Sequence, residues 1–589
     1  MPGLAGFTSL IPLSPKQLDT QLQAIKCNLI APPGAKEHNI LFGPQTAGTF
    51  IGTQPHTKTY QNKTGIIAWL EGNLFNVTNL CKQRNLPQHT DLELLVAIAI
   101  NPDYKNILKN IDGLFSAVVL DTNQNQLHIF TDRYGLRPLY WHQNPNGLFW
   151  ASEPKAFLNL PHFSPKITAE TATFFLETGQ LPPNHTWFEG VTQVPPASHI
   201  IYNTTNGNLT KERYWWWDQL SLRLDCRNKD DLIQEFGHLF QAAVAQQSQV
   251  DKPGLLLSGG LDSRAVFAAL PGSPHTFTFG LPNSNDVRIA TDVAAVKMSP
   301  HTVFPLSQDN WLTPRMEATW WTDGALNLMH MHGAEHLTQI VKEINVCFNG
   351  AGGDGLAGGG HLFESHKLNH YLSQNLHMHL DNAPTIRHHI EKAFQNARSA
   401  HAFYIDWRMR GFSIMGPRMG LFKGVDYRLP FLDNQLQEFL FGLPLEIKNN
   451  NSLYRQMLIN TYPVYFQDIP WAKTGKPITW SKWAIRSAKF FQKLKKKTTT
   501  TSMTDYPNWL RDPAFQKVIN TWVHTRTARF ANFTSPEIFE HKWSEHLAGQ
   551  DHSEMICRYL TLELYLRQVF DKQYRTETEI RAFINNKTS

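Results

Sequence analysis

The stretch LLLSGGLDSRAVFAAL, residues 255–270, decides the architecture of the second part of the chain. It begins with an apolar run typical of a buried strand and continues through a glycine-containing turn. It ends in an apolar helical pattern that stops before Pro271 and Gly272. A strand, a tight turn and a helix in this order are typical of one unit of a parallel sheet.

The segments that follow repeat this alternation. Buried-strand candidates lie at 276–280, 302–306 and 345–350, and the pattern DVRIATDVAAVKM (286–298) predicts a helix between the first two. Strands alternating with helices imply an α/β domain, in which helices cover both faces of a parallel sheet and ligands bind at the carboxyl ends of its strands. The pattern beyond residue 361 is mostly helical.

The N-terminal part has a different pattern. Short strand-like runs such as GIIAWLEGN (65–73) and FSAVVLD (115–121) are separated by Gly, Pro and Asn, which predicts a β-rich domain with a few helices, for example around 89–100. The charged stretch 223–231 marks a boundary. Because 589 residues exceed what one hydrophobic core supports, we expect two domains, residues 1–215 and residues 228–589.

Composition excludes several classes of protein. With 41% hydrophobic and 18% charged residues the chain is globular, and a net charge of +6 is too small and dispersed for a nucleic-acid binder. The longest apolar runs, such as LLVAIAI (94–100), are too short to span a bilayer, and the N-terminus lacks the pattern of a secretory signal. The five cysteines show no metal-ligand spacing. We therefore expect a cytoplasmic protein that binds neither nucleic acid nor membranes.

The string SGGLDS (258–263) predicts a phosphate site. Its glycines, Gly259 and Gly260, let the backbone approach a ligand closely, and Ser258 and Ser263 add hydroxyl donors. The following helix would point its N-terminal amides at the bound group. No Gly-Lys-Ser/Thr sequence follows, so the string differs from a Walker loop.

Carboxylates in and near this string predict a metal ion. Asp262 would repel a phosphate unless a cation lay between them, so Asp262 is a candidate Mg²⁺ ligand. The string NGAGGDG (349–355) also follows an apolar strand, and its Gly352, Gly353 and Asp354 repeat the combination of backbone donors with a carboxylate. Two such cradles on one sheet fit a triphosphate that is cleaved to pyrophosphate.

Several strings together resemble one protein family, the glutamine-dependent asparagine synthetases and their relatives, which include β-lactam, carbapenam and lasso-peptide macrolactam synthetases. The resemblance covers residues 1 to about 480. It rests on SGGLDS, GAGGD (350–354), DYRLPFLD (426–433), WAKTGKP (471–477), DRYGLRPLYW (132–141), ASEPKAF (151–157) and GVTQVPPASH (190–199). It implies an N-terminal Ntn-type αββα sandwich of the glutaminase kind. It also implies a parallel-sheet PP-loop ATP pyrophosphatase domain with a helical C-terminal part.

The resemblance also implies roles for the nucleotide-binding residues. Ser258, Gly259, Gly260, Asp262 and Ser263 would hold ATP and one Mg²⁺, and Asp354 would hold metal and pyrophosphate. Gly352 and Gly353 would also bind the nucleotide. A lysine would stabilise negative charge on the acyl centre and the leaving phosphate. Lys473 is the first candidate for that lysine and Lys476 the second.

The resemblance also implies a group that handles the attacking amine. Asp426 stands where the family has a glutamate, and a carboxylate there would orient the amine or take its proton. A tyrosine, Tyr404 or Tyr427, is the alternative, and the sequence does not choose between them. Arg428 and Asp433 are expected to form an internal ion pair.

The glutaminase half departs from the family at three functional positions. Pro2 stands where the family has its nucleophilic cysteine. The family's Asn-Gly-Glu, in which the asparagine stabilises an oxyanion and the glutamate grips the substrate ammonium, is Glu71, Gly72 and Asn73 here. We expect a domain that folds but no longer hydrolyses glutamine, so that the nitrogen comes from ammonia or from an amine of the substrate.

Three functional hypotheses follow. The first is an ATP- and Mg²⁺-dependent amide ligase that adenylates a carboxylate and closes the macrolactam of a lasso peptide, with a precursor-processing protease or leader-binding protein as a possible partner. The basic aromatic stretch 480–502 is typical of a solvated helix that runs into a loop, and docking to a peptide or to an anionic surface is the alternative. The second is a related ligase for a small molecule, and the third is a non-catalytic nucleotide-binding scaffold. Retention of Asp262, Asp354 and Lys473 favours an enzyme.

Overall fold

Three sheets organise the parts of the chain that the computed structural model describes, residues 3–53, 58–220, 227–376, 384–448, 451–481, 483–484, 486–487, 502–525 and 527–585. The N-terminal strands are β1 (Gly3–Ser9), β2 (Lys36–Phe42), β3 (Thr46–Gly52), β4 (Thr59–Gln61), β5 (Ile66–Leu74), β6 (Gly113–Asp121), β7 (Gln126–Thr131), β8 (Tyr140–Asn144), β9 (Gly147–Ala151), β10 (Val191–Gln193), β11 (Ser198–Asn203) and β12 (Leu209–Arg213). They form two antiparallel sheets, ordered β10-β8-β9-β1-β3-β2 and β12-β11-β7-β6-β5-β4.

The two antiparallel sheets pack face to face and carry helices on their outer faces. Apolar side chains of both sheets, including Leu4, Trp69 and Trp150, interdigitate between them, and burial of each such side chain contributes about 1.5–3 kcal/mol. The helices of this domain are α1 (Pro15–Lys26), α2 (Val77–Gln83), α3 (Asp91–Ile100) and α4 (Ala169–Thr178). Helix α1 packs on the first sheet and α3 on the second. The predicted αββα sandwich is therefore confirmed.

Local sequence explains where these outer helices begin. The Ser14 hydroxyl accepts a hydrogen bond from the Gln17 amide, and the Ser14 amide donates to the Gln17 side chain, which makes a capping box. A proline follows at the first helical position. Thr90 and Glu93 form the same reciprocal pair at the start of α3. Both helices thus start where their first unpaired amides find a side-chain partner.

The third sheet is parallel, as predicted. Its strands are β13 (Pro253–Leu256), β14 (His275–Gly280), β15 (His301–Pro305), β16 (Val346–Phe348) and β17 (Asp426–Arg428), in the order β15-β14-β13-β16-β17. Helix α5 (Lys229–Gln247) precedes the first of these strands, and the helices between the strands include α6 (Asp262–Ala269), α7 (Asn285–Val296), α8 (Leu312–Trp321) and α9 (Leu337–Glu343). The central strand β13 pairs with β14 and β16, so the two glycine strings leave the same edge of neighbouring strands.

The remainder of the described chain is mainly helical, also as predicted. Its helices are α10 (Leu368–Leu376), α11 (Pro384–Ala397), α12 (Ala400–Phe403), α13 (Met415–Arg418), α14 (Asn434–Gly442), α15 (Leu445–Lys448), α16 (Ser452–Thr461), α17 (Pro463–Phe466), α18 (Tyr506–Trp509), α19 (Pro513–Trp522), α20 (Pro536–Leu547), α21 (Ser553–Leu566) and α22 (Glu577–Asn585). Helix α21 is buried on nearly all sides, and its Arg558 donates to the carbonyls of Leu176 and Glu177 at the end of α4. This contact joins the helical part to the N-terminal sandwich.

None of the helices within the described ranges combines the length and the apolar character that spanning a bilayer requires.

Candidate active site

The string after β13 folds into a loop that its own serines hold in shape. The hydroxyls of Ser258 and Ser263 share a hydrogen bond of 2.9 Å. Ser263 Oγ also accepts from the Ser258 amide at 3.1 Å, and Ser258 Oγ accepts from the Gly260 amide at 3.2 Å. The loop therefore forms a turn at the start of α6, and the N-terminus of a helix favours an anion.

Gly259 brings this loop into contact with two other segments. Its amide donates to Asp286 Oδ1 at 3.1 Å, and a Cβ atom at this position would lie 2.8 Å from the Cβ of Ala472. Real Cβ atoms do not approach so closely, so glycine is required here for packing as well as for ligand access. Asp286, on the first turn of α7, is a site residue that the sequence did not reveal.

The second glycine string meets the first through a carboxylate. The Asp354 amide donates to Asp262 Oδ2 at 2.8 Å. A Cβ atom at Gly353 would lie 2.3 Å from Asp262 Cγ, so the contact depends on glycine. Gly352 precedes this pair in the same turn. The structure thus brings together the two aspartates that the sequence predicted as metal ligands.

Asp262 lies in an environment that disfavours its negative charge. Burial, together with the neighbouring Asp354, raises the pKa of Asp262 to about 7, although Asp262 Oδ1 accepts a 2.9 Å hydrogen bond from the Tyr454 hydroxyl. A cation between the two carboxylates would remove this penalty. Tyr454 belongs to α16 and was not predicted from the sequence.

The two carboxylates fit a magnesium ion that is shared with phosphate. Mg²⁺ is usually bound by one or two carboxylates, water and phosphate oxygens rather than by an all-protein cage. In the described part of the chain, no group of three or more His, Cys, Asp or Glu side chains could hold a metal ion. Asp262 and Asp354 therefore suit a metal that arrives with a nucleotide.

A cavity of about 490 Å³ opens over the cradle, and Lys473 lines it together with Gly260, Asp262 and Asp354. Lys476 lies instead against Trp480, with its Nζ 5.1 Å from the ring centre. Of the two lysines left open by the sequence, Lys473 is the one that the structure places at the cradle.

Asp426 lies away from this cavity. It pairs in register with Val346, which pairs with Pro253, so Asp426 is level with the first residue of β13. The SGGLDS loop leaves the other end of that strand, and five residues of strand span about 15 Å. Asp426 instead lines a cavity between the sandwich and the parallel sheet.

The partners of Asp426 also differ from those of a general base. It forms ion pairs with Arg137 and, at 2.6 Å, with Arg428, and it accepts from Asn73 Nδ2 at 3.0 Å. Although burial opposes it, the two guanidinium groups hold the pKa of Asp426 well below its ordinary value. The structure therefore does not support the expectation that Asp426 takes the proton of the amine, because a carboxylate held in this way is a poor proton acceptor.

The expected ion pair between Arg428 and Asp433 is wrong. Arg428 pairs with Asp426, while Asp433 caps α14 by accepting from the Leu436 amide at 2.9 Å. A short carboxylate directly before a helix is a preferred N-cap, which explains the position of Asp433.

The two candidate tyrosines are separated by the structure. Tyr404 lies against the second glycine string, since a Cβ atom at Gly355 would be 2.8 Å from its hydroxyl. Tyr427 is buried at the domain interface and donates to the Leu136 carbonyl at 2.7 Å. Tyr404 is therefore the tyrosine within reach of the cradle.

The glutaminase-like positions Glu71, Gly72 and Asn73 belong to a polar network. Glu71 is buried, accepts from the Ser152 hydroxyl and lies 3.8 Å from Arg137, and burial raises the pKa of Glu71. The ammonium group of Lys58 donates to the Gly72 carbonyl and, at 3.0 Å, to Asn73 Oδ1. Pro2 lies outside the described residues, as does most of the basic stretch 480–502.

Comparisons with known proteins agree with both halves of the chain. The family model described as "Asparagine synthase" matches residues 235–567, more than half of the chain, and that described as "Glutamine amidotransferase domain" matches residues 48–215.

Two curated proteins of Bacillus subtilis (strain 168) are similar to this chain. Asparagine synthetase [glutamine-hydrolyzing] 2 is 24% identical over 470 residues, which is 69% of this chain and 62% of that protein. Asparagine synthetase [glutamine-hydrolyzing] 3 is 24% identical over 520 residues, 75% of this chain and 81% of that protein. The match thus spans less than two thirds of the first relative.

Among solved structures, a glutamine phosphoribosylpyrophosphate amidotransferase from B. subtilis matches with 15% identity and a TM-score of 0.25. The match covers 51% of this chain and 65% of that one.

Proposed function

Because this chain belongs to the asparagine synthase family, we propose that it is an ATP-dependent carbon–nitrogen ligase that adenylates a carboxylate and releases pyrophosphate and then AMP. The observation that carries the proposal is the meeting of two loops at one edge of the parallel sheet. Asp262 and Asp354 are joined there by a 2.8 Å hydrogen bond, and Lys473 lines the same cavity. This arrangement combines backbone donors, a metal-binding pair and a cation, as a triphosphate requires.

Each group has a task in that reaction. The substrate carboxylate attacks the α-phosphorus of ATP and pyrophosphate leaves. An amine then attacks the acyl carbon, AMP leaves, and one proton of the amine is released. Mg²⁺, held by Asp262 and Asp354, would neutralise the charge of the triphosphate. Because the amides of Ser258, Gly259 and Gly260 already donate within the protein, the amides of the first turn of α6 would bind the phosphate oxygens. Lys473 would stabilise charge on the acyl oxygen and the leaving phosphate as a fixed cation.

The polar network of the N-terminal domain supports an amine source other than glutamine. Glu71 places a carboxylate where the resemblance implies an oxyanion donor, and it would repel a developing oxyanion. Asn73 is occupied by Lys58 and Asp426. We propose that the attacking amine belongs to the substrate and that the product is an internal amide, the macrolactam of a lasso peptide. A precursor-processing protease or leader-binding protein would then act before this enzyme.

Incubation with Mg²⁺, ATP and defined substrates tests this proposal. With a leaderless precursor peptide we expect AMP and pyrophosphate in equal amounts and a peptide that has lost one water. AMP release with a small β-amino acid or with ammonium, and none with the peptide, would favour a small-molecule ligase. If none of the substrates leads to release of AMP, and Asp262→Ala leaves partner binding unchanged, the chain is a scaffold.

Substitution of the two lysines separates their roles. Lys473→Met is expected to lower the rate of AMP formation by about 100-fold, the usual cost of removing one fixed donor to a developing charge. The matched variant Lys476→Met should change it by no more than about twofold, because its ammonium lies against Trp480. Steady-state kinetics with the same substrate measure both, and equal losses would contradict the assignment of Lys473.

Glutamine is expected to remain intact when incubated with the protein. A Pro2→Cys variant should also fail to release glutamate, because Glu71 would still face the oxyanion. Enzymatic detection of glutamate measures both, with a glutamine-hydrolysing asparagine synthetase as the positive control. Glutamate release by Pro2→Cys alone would show that the Glu71 position does not block hydrolysis.

A further inference from the structure

A fully buried arginine lies directly behind the phosphate cradle. Arg264 follows Ser263 in the first turn of α6, and its side chain has no exposed surface. Its guanidinium donates to the Gly259 carbonyl at 3.1 Å. It also donates to three carbonyls of one distant segment, those of Tyr465 at 3.3 Å, Ile469 at 3.2 Å and Pro470 at 2.7 Å.

This arginine is held by backbone dipoles rather than by a counter-charge. Burial lowers the pKa of Arg264 to about 10, and no charged group in the described chain offsets that effect. The ring of Phe466 lies 5.5 Å from the guanidinium carbon. Buried charges are normally paired with an opposite charge. Because Arg264 has only carbonyl partners, its guanidinium is stable only while the four carbonyls stay in place, and it therefore fixes their positions.

The segment that Arg264 binds leads directly into the turn that carries Lys473. The Trp471 amide donates to the Lys476 carbonyl at 3.0 Å, and the Gly475 amide donates to the Trp471 carbonyl at 2.8 Å, so the turn is closed. The Ala472 amide donates to the Gly259 carbonyl at 3.1 Å. The Gly259 carbonyl thus binds both Arg264 and the turn.

We propose that Arg264 is a positioning residue that fixes the Lys473 turn relative to the phosphate cradle. This proposal rests on the proposed function for the role of Lys473, but the hydrogen bonds of Arg264 do not depend on that function. The first turn of α6 carries both Asp262 and Arg264, so the metal ligand and the support of the lysine move as one body. A lysine at position 264 would keep the charge, but a single nitrogen cannot reach carbonyls in two segments as a planar guanidinium does.

Hydrogen exchange of the unliganded protein tests the contacts without any substrate. In Arg264→Met, the amides of residues 465–476 are expected to exchange at least about 10-fold faster than in the wild type, and in Arg264→Lys nearly as fast. Val293→Ala, a cavity variant of a fully buried residue in the same core, controls for general destabilisation and should leave this segment protected. Unchanged exchange of 465–476 in Arg264→Met would overturn the proposal.

Acetylation of Lys473, read by mass spectrometry with and without Mg²⁺ and the ATP analogue AMPCPP, tests the consequence at the site. The analogue should slow acetylation by about 10-fold or more in the wild type and in Val293→Ala, but by less than about twofold in folded Arg264→Met. Full protection in Arg264→Met would overturn the proposal. Absence of protection in the wild type would contradict the proposed role of Lys473, while the exchange result still decides the role of Arg264.

Discussion

Asp262→Asn is expected to weaken the binding of Mg²⁺-ATP by at least about 100-fold, or about 3 kcal/mol. Asparagine keeps the shape of the side chain and can still accept a hydrogen bond from Tyr454 or Asp354. It removes one of the two charges that would bind the metal ion, and hard divalent cations depend on such charges. Isothermal titration calorimetry with AMPCPP and Mg²⁺ measures the loss of affinity, and Asp354→Asn should show a loss of similar size.

The same variant is expected to have a higher melting temperature without nucleotide. Ionised Asp262 is buried beside Asp354, and this placement raises its pKa to about 7, so the charged form destabilises the folded state. Asp292→Asn, which changes an exposed carboxylate on α7, is the matched control and should alter neither affinity nor melting temperature. Unaltered nucleotide affinity in Asp262→Asn would show that the metal site is elsewhere. A lower melting temperature of Asp262→Asn would show that the ionised Asp262 carboxylate does not destabilise the folded state.

Much of this site follows from local sequence. The alternation of apolar strands and helices predicted the parallel sheet, and an apolar run directly before each glycine string placed both strings at the same edge. At Gly259 and Gly353 a Cβ atom would collide with a neighbouring segment. Glycine is therefore required at both positions by contacts that form only in the folded chain. The structure of a short string around a tight turn can be predicted from the sequence because its geometry is local.

The partners of these strings could not be read in the same way. Tyr454 reaches Asp262 from 192 residues away, and the Arg264 contacts join segments about 200 residues apart. Nothing in the local pattern around Tyr454 distinguishes it from an ordinary core tyrosine. Long-range placement of this kind depends on how helices pack, which periodicity does not specify.

Asp426 illustrates a second limit. It opens a strand of three residues, and the edge at which its side chain lies depends on the register with β16. Its ionisation is set by Arg137, 289 residues earlier in the chain. A resemblance assigns a role to such a residue, but only the register and the partners show whether this chain retains the geometry.

Breaking the contact between Arg137 and Asp426 is expected to destabilise the interface of the two domains. Arg137 is buried, lies over the ring of Tyr427 at 4.2 Å and contacts both Glu71 and Asp426. Arg137→Met leaves two carboxylates with less compensation, and Asp426→Asn leaves Arg137 and Arg428 facing each other. Removal of one partner of a fully buried pair costs about 3–5 kcal/mol, and because the Asp426 side chain is 25% exposed we expect a smaller loss here, about 1–3 kcal/mol. Urea denaturation followed by tryptophan fluorescence measures each loss.

A double-variant cycle separates this pair from general damage. Arg137→Met combined with Asp426→Asn should be less destabilised than the sum of the single variants by about 1–3 kcal/mol, because each single change leaves an unpaired charge that the second removes. The exposed variant Asp292→Asn, combined with Arg137→Met, should be additive. Additivity of Arg137→Met with Asp426→Asn would contradict the direct pair.

The contribution of Asp426 should also disappear in acid. Arg137 and Arg428 hold the pKa of Asp426 below its ordinary value of about 3.9. A carboxylate with a lowered pKa in the folded state contributes stability that is complete above the unfolded value and is lost as the pH falls through the folded value. The difference in urea midpoint between the wild type and Asp426→Asn should therefore be constant from pH 7 to pH 5 and shrink below about pH 4. A difference that stays constant to pH 3 would mean that the variant acts through packing, and that the charge of Asp426 does not hold the sandwich and the parallel sheet together.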